Sequence, residues 1–430
     1  MKRLQAYLPA LGIFGLALLV RLVYNFTVAR GYHSEFDARY YDNIAQHLLS
    51  EHCFCIVPHV STPDRAPFWA WIIAAIYAVT GPANVYARIF LSLLGSGTCV
   101  LIYLFTKDIF DRRSGVIAGV LAAVYTGLFI YDGWLYSESM YTFLFLVFAY
   151  ALYLFQRDTR WRWVIISGLA LAFSSLTRPN GMFVLGMVVV WAIIVIWKKL
   201  LPWQTVVKCV LAITLLTVGL IAPWTARNYQ LTHVFIPVAT GSAVVLSGAY
   251  NDTILTKQDS LGMWTSAEFI RPPVPQSAHR SFEGEDEGRA YAVHWIVTHL
   301  SSMPYLLSLH FINMWKPYTS EDGLPVREFP TRISSKVVWA MMQYMPILVI
   351  FLAACGFLVT LRRWRELLVV YLVIAFTIVQ CLVFYGSMRF RAPIEPLLVL
   401  LVGGLVWWLS RKGWFSTKSF KIGSLSRKSS

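Results

Sequence analysis

The chain has 430 residues, of which 57% are apolar, 15% are aromatic and only 14% are charged, and its formal net charge is +15. The apolar residues come in runs close to the ~20 residues that cross a hydrocarbon core. This composition excludes a secreted or cytosolic protein and predicts an all-α polytopic membrane protein.

The apolar runs predict about ten transmembrane helices. The first run, at about 4–26, is too long for the core of a signal peptide, and no small-residue cleavage pattern follows it, so we interpret it as a retained span. The other nine runs lie at about 84–106, 114–131, 139–155, 162–177, 181–197, 204–223, 337–361, 366–385 and 394–410.

The basic residues predict the orientation of these spans. They collect in short loops such as FDRRSG (110–115), QRDTRWR (156–162) and LRRWR (361–365), and in the tail 411–430. Cytoplasmic loops of membrane proteins carry such an excess of Lys and Arg, so we expect both termini and this basic tail inside. The positive net charge is therefore a topological signature, and we expect no nucleic-acid partner.

Two long segments, 27–83 and 224–336, then form the outer face of a single membrane domain. In the first, the residues from Tyr40 predict an amphipathic helix along the interface, with Asp37 in the turn that starts it. Two apolar pieces, 67–81 and 303–315, are rather short for spans, and we interpret them as re-entrant or surface-lying helices. We expect 224–336 to be an outer loop or lid.

Four outer-face stretches place an acid or an arginine at the end of a span, where a charge is costly to keep. Any one of them alone is typical of an interface anchor. The four stretches lie on one predicted side of the membrane and mix carboxylates with guanidiniums. Together they therefore favour a catalytic or binding site over interface anchors. They are EFDARYY (35–41), DGWLYSESMY (132–141), LTRPNG (176–181) with PWTARNY (223–229), and YGSMRFRAPIEP (385–396).

This mixture of charges suits a lipid-phosphate-linked sugar. Arginine binds phosphate oxygens through a planar fork of donors, and a carboxylate can accept the proton of an attacking hydroxyl. We expect Asp37 to act as the base, with its pKa raised by partial desolvation; its alternative role is the N-cap of the helix at Tyr40. The candidates for holding the phosphate are Arg178, Arg227, Arg389 and Arg391, and the alternative for each is pairing with lipid headgroups or Glu395.

In the order of these features the chain resembles the GT-C superfamily of membrane glycosyltransferases. The branch is that of protein O-mannosyltransferases and the aminoarabinose transferase that modifies lipid A. The resemblance rests on an acid followed by aromatics in the first outer loop, DRAPFW (64–69), VYARIF (85–90), FDRRSG, an outer SE pair (137–138), LTRPNG, PWTARNY and RFRAPIEP.

The resemblance implies a GT-C fold with juxtamembrane helices in the first outer loop, and several site residues. Asp37 matches the catalytic acid, but Ala38 replaces the second acid of the O-mannosyltransferases, which makes a protein acceptor less secure. Glu138 matches the acid of the second outer loop, and Arg65 stands where a basic residue could hold the donor phosphate. We also expect Tyr40, Tyr41 and Asp132 to contact substrate.

The stretch EHCFCIVPH (51–59) is the one place that suggests a metal ligand set. Its C-x-C spacing is unusual for structural zinc, and on an oxidising outer face Cys53 and Cys55 are either bonded to each other or free. A divalent cation at the catalytic acids is an alternative, and we expect no cofactor.

The sequence thus predicts an inverting glycosyltransferase of an inner or plasma membrane, with its active site facing the periplasm or exterior. We expect a polyprenyl-phosphate sugar donor, a lipid, glycan or protein acceptor, and membrane lipids as partners. The alternatives are a transporter, which would place ionisable residues near mid-membrane, and a non-catalytic component of a cell-envelope glycan assembly.

Overall fold

The structure is a computed structural model that describes residues 2–257, 261–271, 273, 284–317 and 336–412. It is almost entirely helical, as predicted, and the predicted basic tail lies largely outside the described residues. The α-helices are α1 Lys2–Phe26, α2 Phe36–Ser50, α3 Pro67–Thr80, α4 Asn84–Ile109, α5 Arg112–Val124, α6 Thr126–Phe129, α7 Glu138–Asp158, α8 Trp161–Thr177, α9 Val184–Trp197, α10 Trp203–Thr232, α11 Ser242–Ala249, α12 Thr253–Thr256, α13 Glu285–Thr298, α14 Met303–Trp315, α15 Lys336–Thr360, α16 Trp364–Val383 and α17 Glu395–Arg411.

Short 3₁₀ helices connect several of these elements. Two of them bear on the site: Ile130–Gly133 precedes α7, and Met388–Ile394, which carries Arg389, precedes α17. The others are Pro179–Phe183, Ala267–Phe269, Leu300–Ser302 and Leu361–Arg363. One small antiparallel hairpin, β1 Cys55–Val57 and β2 Val60–Ser61, follows α2.

Within the described residues, seven helical segments are long and apolar enough to cross a membrane, so the chain is an integral membrane protein. They are Tyr7–Phe26, Asn84–Ile109, Glu138–Asp158, Pro179–Trp197, Trp203–Thr232, Ala340–Val383 and Met388–Arg411. The predicted count of about ten stays a prediction.

Three features account for the difference between ten predicted and seven observed segments. The run predicted at 114–131 is a pair of helical segments, Arg112–Val124 and Thr126–Gly133, bent by 63°. Helix α8 is a shorter apolar helix of 17 residues. The segment Ala340–Val383 has 44 residues and contains both α15 and α16. At 1.5 Å per residue it is roughly twice the thickness of a hydrocarbon core, which is enough for two crossings.

The helices of segment 27–83, the predicted first outer loop, lie beside the bundle. Helix α2 packs against α3, and α3 also contacts α4 and α8. Helix α3 begins with Pro67 at its first turn and ends at Gly81, whose φ of 79° suits a residue without a Cβ. With 14 residues it is too short to cross as a straight helix.

Segment 27–83 and the helix ends next to it share one buried apolar cluster, separate from the core of the bundle, and we call this region the outer layer after the predicted topology. It includes Ile44, Trp69, Leu91 and Trp134, all nearly inaccessible to solvent. The Nε1 of Trp69 donates to the carbonyl of Leu135 at 2.8 Å, which ties α3 to the segment before α7. The site described below lies on this outer layer.

Helix α10 is longer than predicted. It continues through Pro223 and ends at Thr232, whereas the sequence predicted a span that ends at about residue 223. Beyond it, α11 packs against α13, and the Glu285 carboxylate accepts hydrogen bonds from the backbone N–H of Gly241 and, at 3.1 Å, of Ala243. These N–H groups at the start of α11 have no partner within their own helix, so the carboxylate stabilises the junction.

Candidate active site

Asp37 lies in the first turn of α2, with Glu35 at the N-cap position. Its carboxylate accepts one hydrogen bond from Nη2 of Arg65 at 3.2 Å and another from Nη2 of Arg389 at 3.0 Å. The Asp37 side chain is 36% exposed, so a substrate can reach it. Asp37 is therefore placed as a paired, accessible carboxylate, and the alternative N-cap role is not what the structure shows.

The second acid of the site, Glu138, is almost fully buried at the start of α7. Its Oε1 accepts a hydrogen bond from Nη1 of Arg178 at 2.6 Å and another from Nε of Arg389. Arg389 thus bridges Glu138 and Asp37, which are 101 positions apart in the sequence. We call these five residues, Asp37, Arg65, Glu138, Arg178 and Arg389, the charged cluster.

Aromatic rings face all three guanidiniums, and two of these contacts are close. The Arg65 guanidinium lies over the ring of Tyr40, 4.5 Å from its centroid, and the Arg389 guanidinium lies over Tyr136 at the same distance. Such contacts are attractive because the face of an aromatic ring is electronegative. Tyr136 was missed among the predicted site residues, although it lies within the stretch DGWLYSESMY.

The charged cluster holds Asp37 in its ionised form. Burial alone would raise the pKa of Asp37, but Arg389 and Arg65 outweigh it, and the pKa lies below the usual value. The expectation of a raised pKa was therefore wrong, because it considered desolvation without the two arginines. Tyr41 is buried beside the cluster, and burial raises the pKa of its phenol.

Of the five predicted site residues that are not members of the charged cluster, Tyr40 and Tyr41 lie beside it, and Asp132, Arg391 and Arg227 do not. Nε of Arg21 donates to Asp132 at 2.6 Å inside the bundle, so Asp132 serves a buried ion pair and the expectation of substrate contact is revised. Arg391 is likewise fully buried and paired with Glu395 at 2.6 Å, which was its alternative role.

Arg227 contacts the first outer loop but neither acid of the cluster. Its Nη1 donates to the carbonyl of Thr62 at 2.8 Å, and its guanidinium lies 4.7 Å from the ring of Trp224. It therefore stabilises the segment that precedes Arg65, and among the described residues it does not pair with Asp37.

The stretch EHCFCIVPH forms the hairpin after α2. Cys53 and Cys55 are joined by a disulfide, which resolves the choice that the sequence left open. The backbone N–H of His59 donates to Glu51 at 2.9 Å, so this acid closes the hairpin. In the part of the chain that the structure describes, no three His, Cys, Asp or Glu side chains come together as a metal-binding group.

Comparison with known families gives one match in sequence. Residues 64–224 match the family model described as dolichyl-phosphate-mannose-protein mannosyltransferase. The matched segment includes Arg65, Glu138 and Arg178 but ends before Arg389 and begins after Asp37. No curated protein matches the chain in sequence.

Comparison with solved structures identifies the fold. The chain superposes on the oligosaccharyltransferase of Archaeoglobus fulgidus in its apo form with a TM-score of 0.57 and 12% identity, covering 98% of this chain and 53% of that one. The same archaeal enzyme in complex with an inhibitory peptide and a dolichol-phosphate gives 0.58 and 13%, over 98% and 52%. This chain thus spans about half the length of the archaeal enzyme.

A third structure is similar over much of its length but superposes less well. ArnT from Cupriavidus metallidurans, in the apo state, gives a TM-score of 0.43 at 14% identity, covering 92% of this chain and 77% of that one. That score is too low to support an argument about fold. The family match and the archaeal superposition agree with the resemblance drawn from the sequence.

Proposed function

We propose that this chain, a GT-C membrane protein of the mannosyltransferase type, is an inverting glycosyltransferase that uses a polyprenyl-phosphate sugar. The observation that carries the proposal is the charged cluster, in which one accessible carboxylate and one buried carboxylate share the bridging Arg389. The description of the matching family and the dolichol-phosphate bound to the archaeal enzyme support a donor of this class.

The three arginines are suited to hold the phosphate of the donor. Arg65, Arg178 and Arg389 outnumber the two carboxylates of the cluster by one, so the cluster has one positive charge in excess. A sugar phosphodiester carries one negative charge, and the charge on the leaving phosphate grows as its bond to the sugar breaks. Guanidiniums already placed there stabilise that charge in the transition state.

Asp37 is suited to accept the proton of the acceptor. In the proposed reaction the acceptor hydroxyl attacks the anomeric carbon and Asp37 takes its proton, while the bond between that carbon and the phosphate oxygen breaks. The electron pair of that bond leaves with the polyprenyl phosphate, and the sugar configuration inverts. The donor phosphate competes with Asp37 for Arg65 and Arg389, which would raise the basicity of Asp37 when the donor is bound.

Glu138 is proposed as a positioning residue. It is buried and its Oε1 contacts both Arg178 and Arg389, so it holds two phosphate-binding groups in one orientation. The side chains that hold a reacting group within a fraction of an ångström contribute strongly to catalysis. The arginine excess of the predicted inner loops further supports an active site on the external face of an inner or plasma membrane.

The test is sugar transfer by the purified protein in nanodiscs. Radiolabelled polyprenyl-phosphate sugars are offered with a membrane extract as the source of lipid, glycan and protein acceptors. We expect labelled product together with an equal amount of released polyprenyl phosphate. In sealed proteoliposomes, movement of the label across the membrane without any chemical change would instead support a transporter. If the label is neither transferred to an acceptor nor moved across the membrane, the result would support a non-catalytic component.

A further inference from the structure

Tyr385 is a phenol beside the charged cluster that the mechanism above does not use. It lies between the end of α16 and the 3₁₀ helix Met388–Ile394, four residues before Arg389. Its ring packs edge-on against Phe390 with 4.6 Å between the centroids, and Phe390 in turn faces the guanidinium of Arg178. The side chain is half-buried.

The backbone that carries Tyr385 is held at three points. Nδ1 of His310 donates to the carbonyl of Leu382 at 2.9 Å, and the hydroxyl of Tyr250 donates to the carbonyl of Val383 at 2.6 Å. Directly after Tyr385, Gly386 lies so close to α14 that a Cβ would overlap the carbonyl of His310. The position of the Tyr385 ring is therefore fixed by the fold rather than by a hydrogen bond of its own hydroxyl.

The Tyr385 hydroxyl makes no hydrogen bond within the part of the chain that the structure describes. The hydroxyl of Tyr250, which packs in the same apolar cluster, instead donates to the Val383 carbonyl. The phenol also lies within the field of the charged cluster. Burial, the largest effect, raises the pKa of Tyr385 to about 12 against the opposing charges of Arg389 and Arg178, so the hydroxyl stays protonated at neutral pH.

We propose that the Tyr385 hydroxyl donates a hydrogen bond to a phosphate oxygen of the bound polyprenyl phosphate, between Arg178 and Arg389. This inference rests on the proposed function and extends it. In the charged cluster the arginines already contact carboxylates, whereas no group of the described residues accepts a hydrogen bond from the Tyr385 hydroxyl, so it can donate to an arriving phosphate. A hydrogen bond to a charged group is among the stronger polar contacts.

The test is binding of polyprenyl phosphate, without any sugar, to purified protein in nanodiscs. We expect Tyr385→Phe to weaken the Kd for polyprenyl phosphate by about 10- to 100-fold. The same variant should bind polyprenyl alcohol, which lacks the phosphate, as the wild type does, because the ring and its contact with Phe390 remain. The matched control is Tyr305→Phe, since Tyr305 is an exposed phenol in α14.

Three outcomes would overturn the inference, and one of them separates it from the proposed function. Unchanged phosphate binding by Tyr385→Phe would show that the residue serves packing alone, while sugar transfer by the wild type would leave the proposed function standing. Equal losses for the phosphate and the alcohol would show a structural role. If the wild type binds no polyprenyl phosphate, both the inference and the proposed function are wrong.

Discussion

Arg389 connects the two acids of the charged cluster at the scale of single residues. It uses different nitrogens of one rigid guanidinium, Nε for Glu138 and Nη2 for Asp37. A lysine at this position would present a single point charge on a flexible stem and could not keep both contacts in the same geometry. The shape of the guanidinium, and not only its charge, therefore matters here.

We expect Arg389→Lys to lower kcat/KM for the donor by about 10- to 100-fold, because it removes one charge-assisted hydrogen bond while retaining the charge. The measurement is steady-state sugar transfer at varied donor concentration. The matched control is Arg227→Lys, since Arg227 contacts Thr62 and Trp224 but neither acid. Equal losses in the two variants would contradict the assignment of the site to the charged cluster.

The lowered pKa of Asp37 sets the expected pH dependence. Because Arg389 and Arg65 outweigh burial, the carboxylate stays ionised as the pH falls towards the ordinary aspartate value of about 3.9. We expect no Asp37-dependent loss of kcat/KM between pH 7 and about 5. Arg65→Gln should move the acid limb of the pH profile of kcat/KM to higher pH, because it removes one cation that stabilises the ionised Asp37. A wild-type acid limb near pH 6 would mean that the arginines do not control this group.

The sequence named all five residues of the charged cluster. Four were found because an ionised group at the end of a span is costly and therefore informative, and Arg65 was found through the family resemblance. It could not assign their partners. Arg21 lies within the first span, 111 positions before Asp132, and only the packing of α1 beside α4 and the 130–133 turn brings the two together. Tyr136 was missed because an aromatic residue at a membrane interface is common and gives no separate signal.

At the scale of elements, the 3₁₀ turn Ile130–Gly133 determines where Glu138 begins α7. The turn is anchored by the buried pair of Asp132 and Arg21, and Gly95 of α4 passes directly beside that pair. A Cβ at Gly95 would overlap Asp132 Oδ2 and come within 2.6 Å of Arg21 Nε. Close packing of α4 against a buried ion pair thus requires glycine at this position.

We expect Gly95→Ala to destabilise the protein by about 1–3 kcal/mol, because the added methyl group overpacks a buried ion pair. The measurement is thermal unfolding in detergent micelles. Gly97→Ala is the matched control in the same helix, since a Cβ there would meet only Phe143 at an ordinary contact distance of 3.5 Å. Equal stability of the two variants would show that the pair adjusts freely and does not fix the turn.

The periodicity of apolar residues predicted the existence of the helices better than their ends. Helix α2 was predicted from Tyr40 with Asp37 in its starting turn, and it begins at Phe36. The predicted end of the span at about residue 223 was wrong, because α10 continues through Pro223. Helices near a membrane tolerate proline when neighbouring groups satisfy the freed carbonyl. The bend of 63° after α5 left no signal in composition.

At the scale of the whole molecule, composition and the order of motifs were sufficient for the class and fold. The resemblance to GT-C glycosyltransferases is confirmed by the family match over residues 64–224 and by the archaeal superposition over nearly the whole chain. The number of crossings could not be settled by counting, because length and hydropathy do not distinguish two joined spans from one long segment such as Ala340–Val383.

The charged cluster also shows why the site could not be assembled from one region of sequence. Its five residues come from α2, the approach to α3, the start of α7, the end of α8 and the 3₁₀ helix before α17. Only the folded outer layer brings them together. In the sequence, the indication that they share a site was the placement of all four charged stretches on one predicted side of the membrane. The central claim is that Asp37, within this cluster, is the base in a sugar transfer.

The most direct measurement of that claim compares sugar transfer by the wild type, Asp37→Asn and Glu35→Gln in nanodiscs. Glu35 is the matched control, since it lies two residues away and pairs only with His33 among the ion pairs of the described residues. We expect Asp37→Asn to lose about 10²- to 10⁴-fold in kcat with its fold and polyprenyl-phosphate binding retained, and Glu35→Gln to keep wild-type activity. Full transfer by Asp37→Asn would contradict the account, because the base would then lie elsewhere.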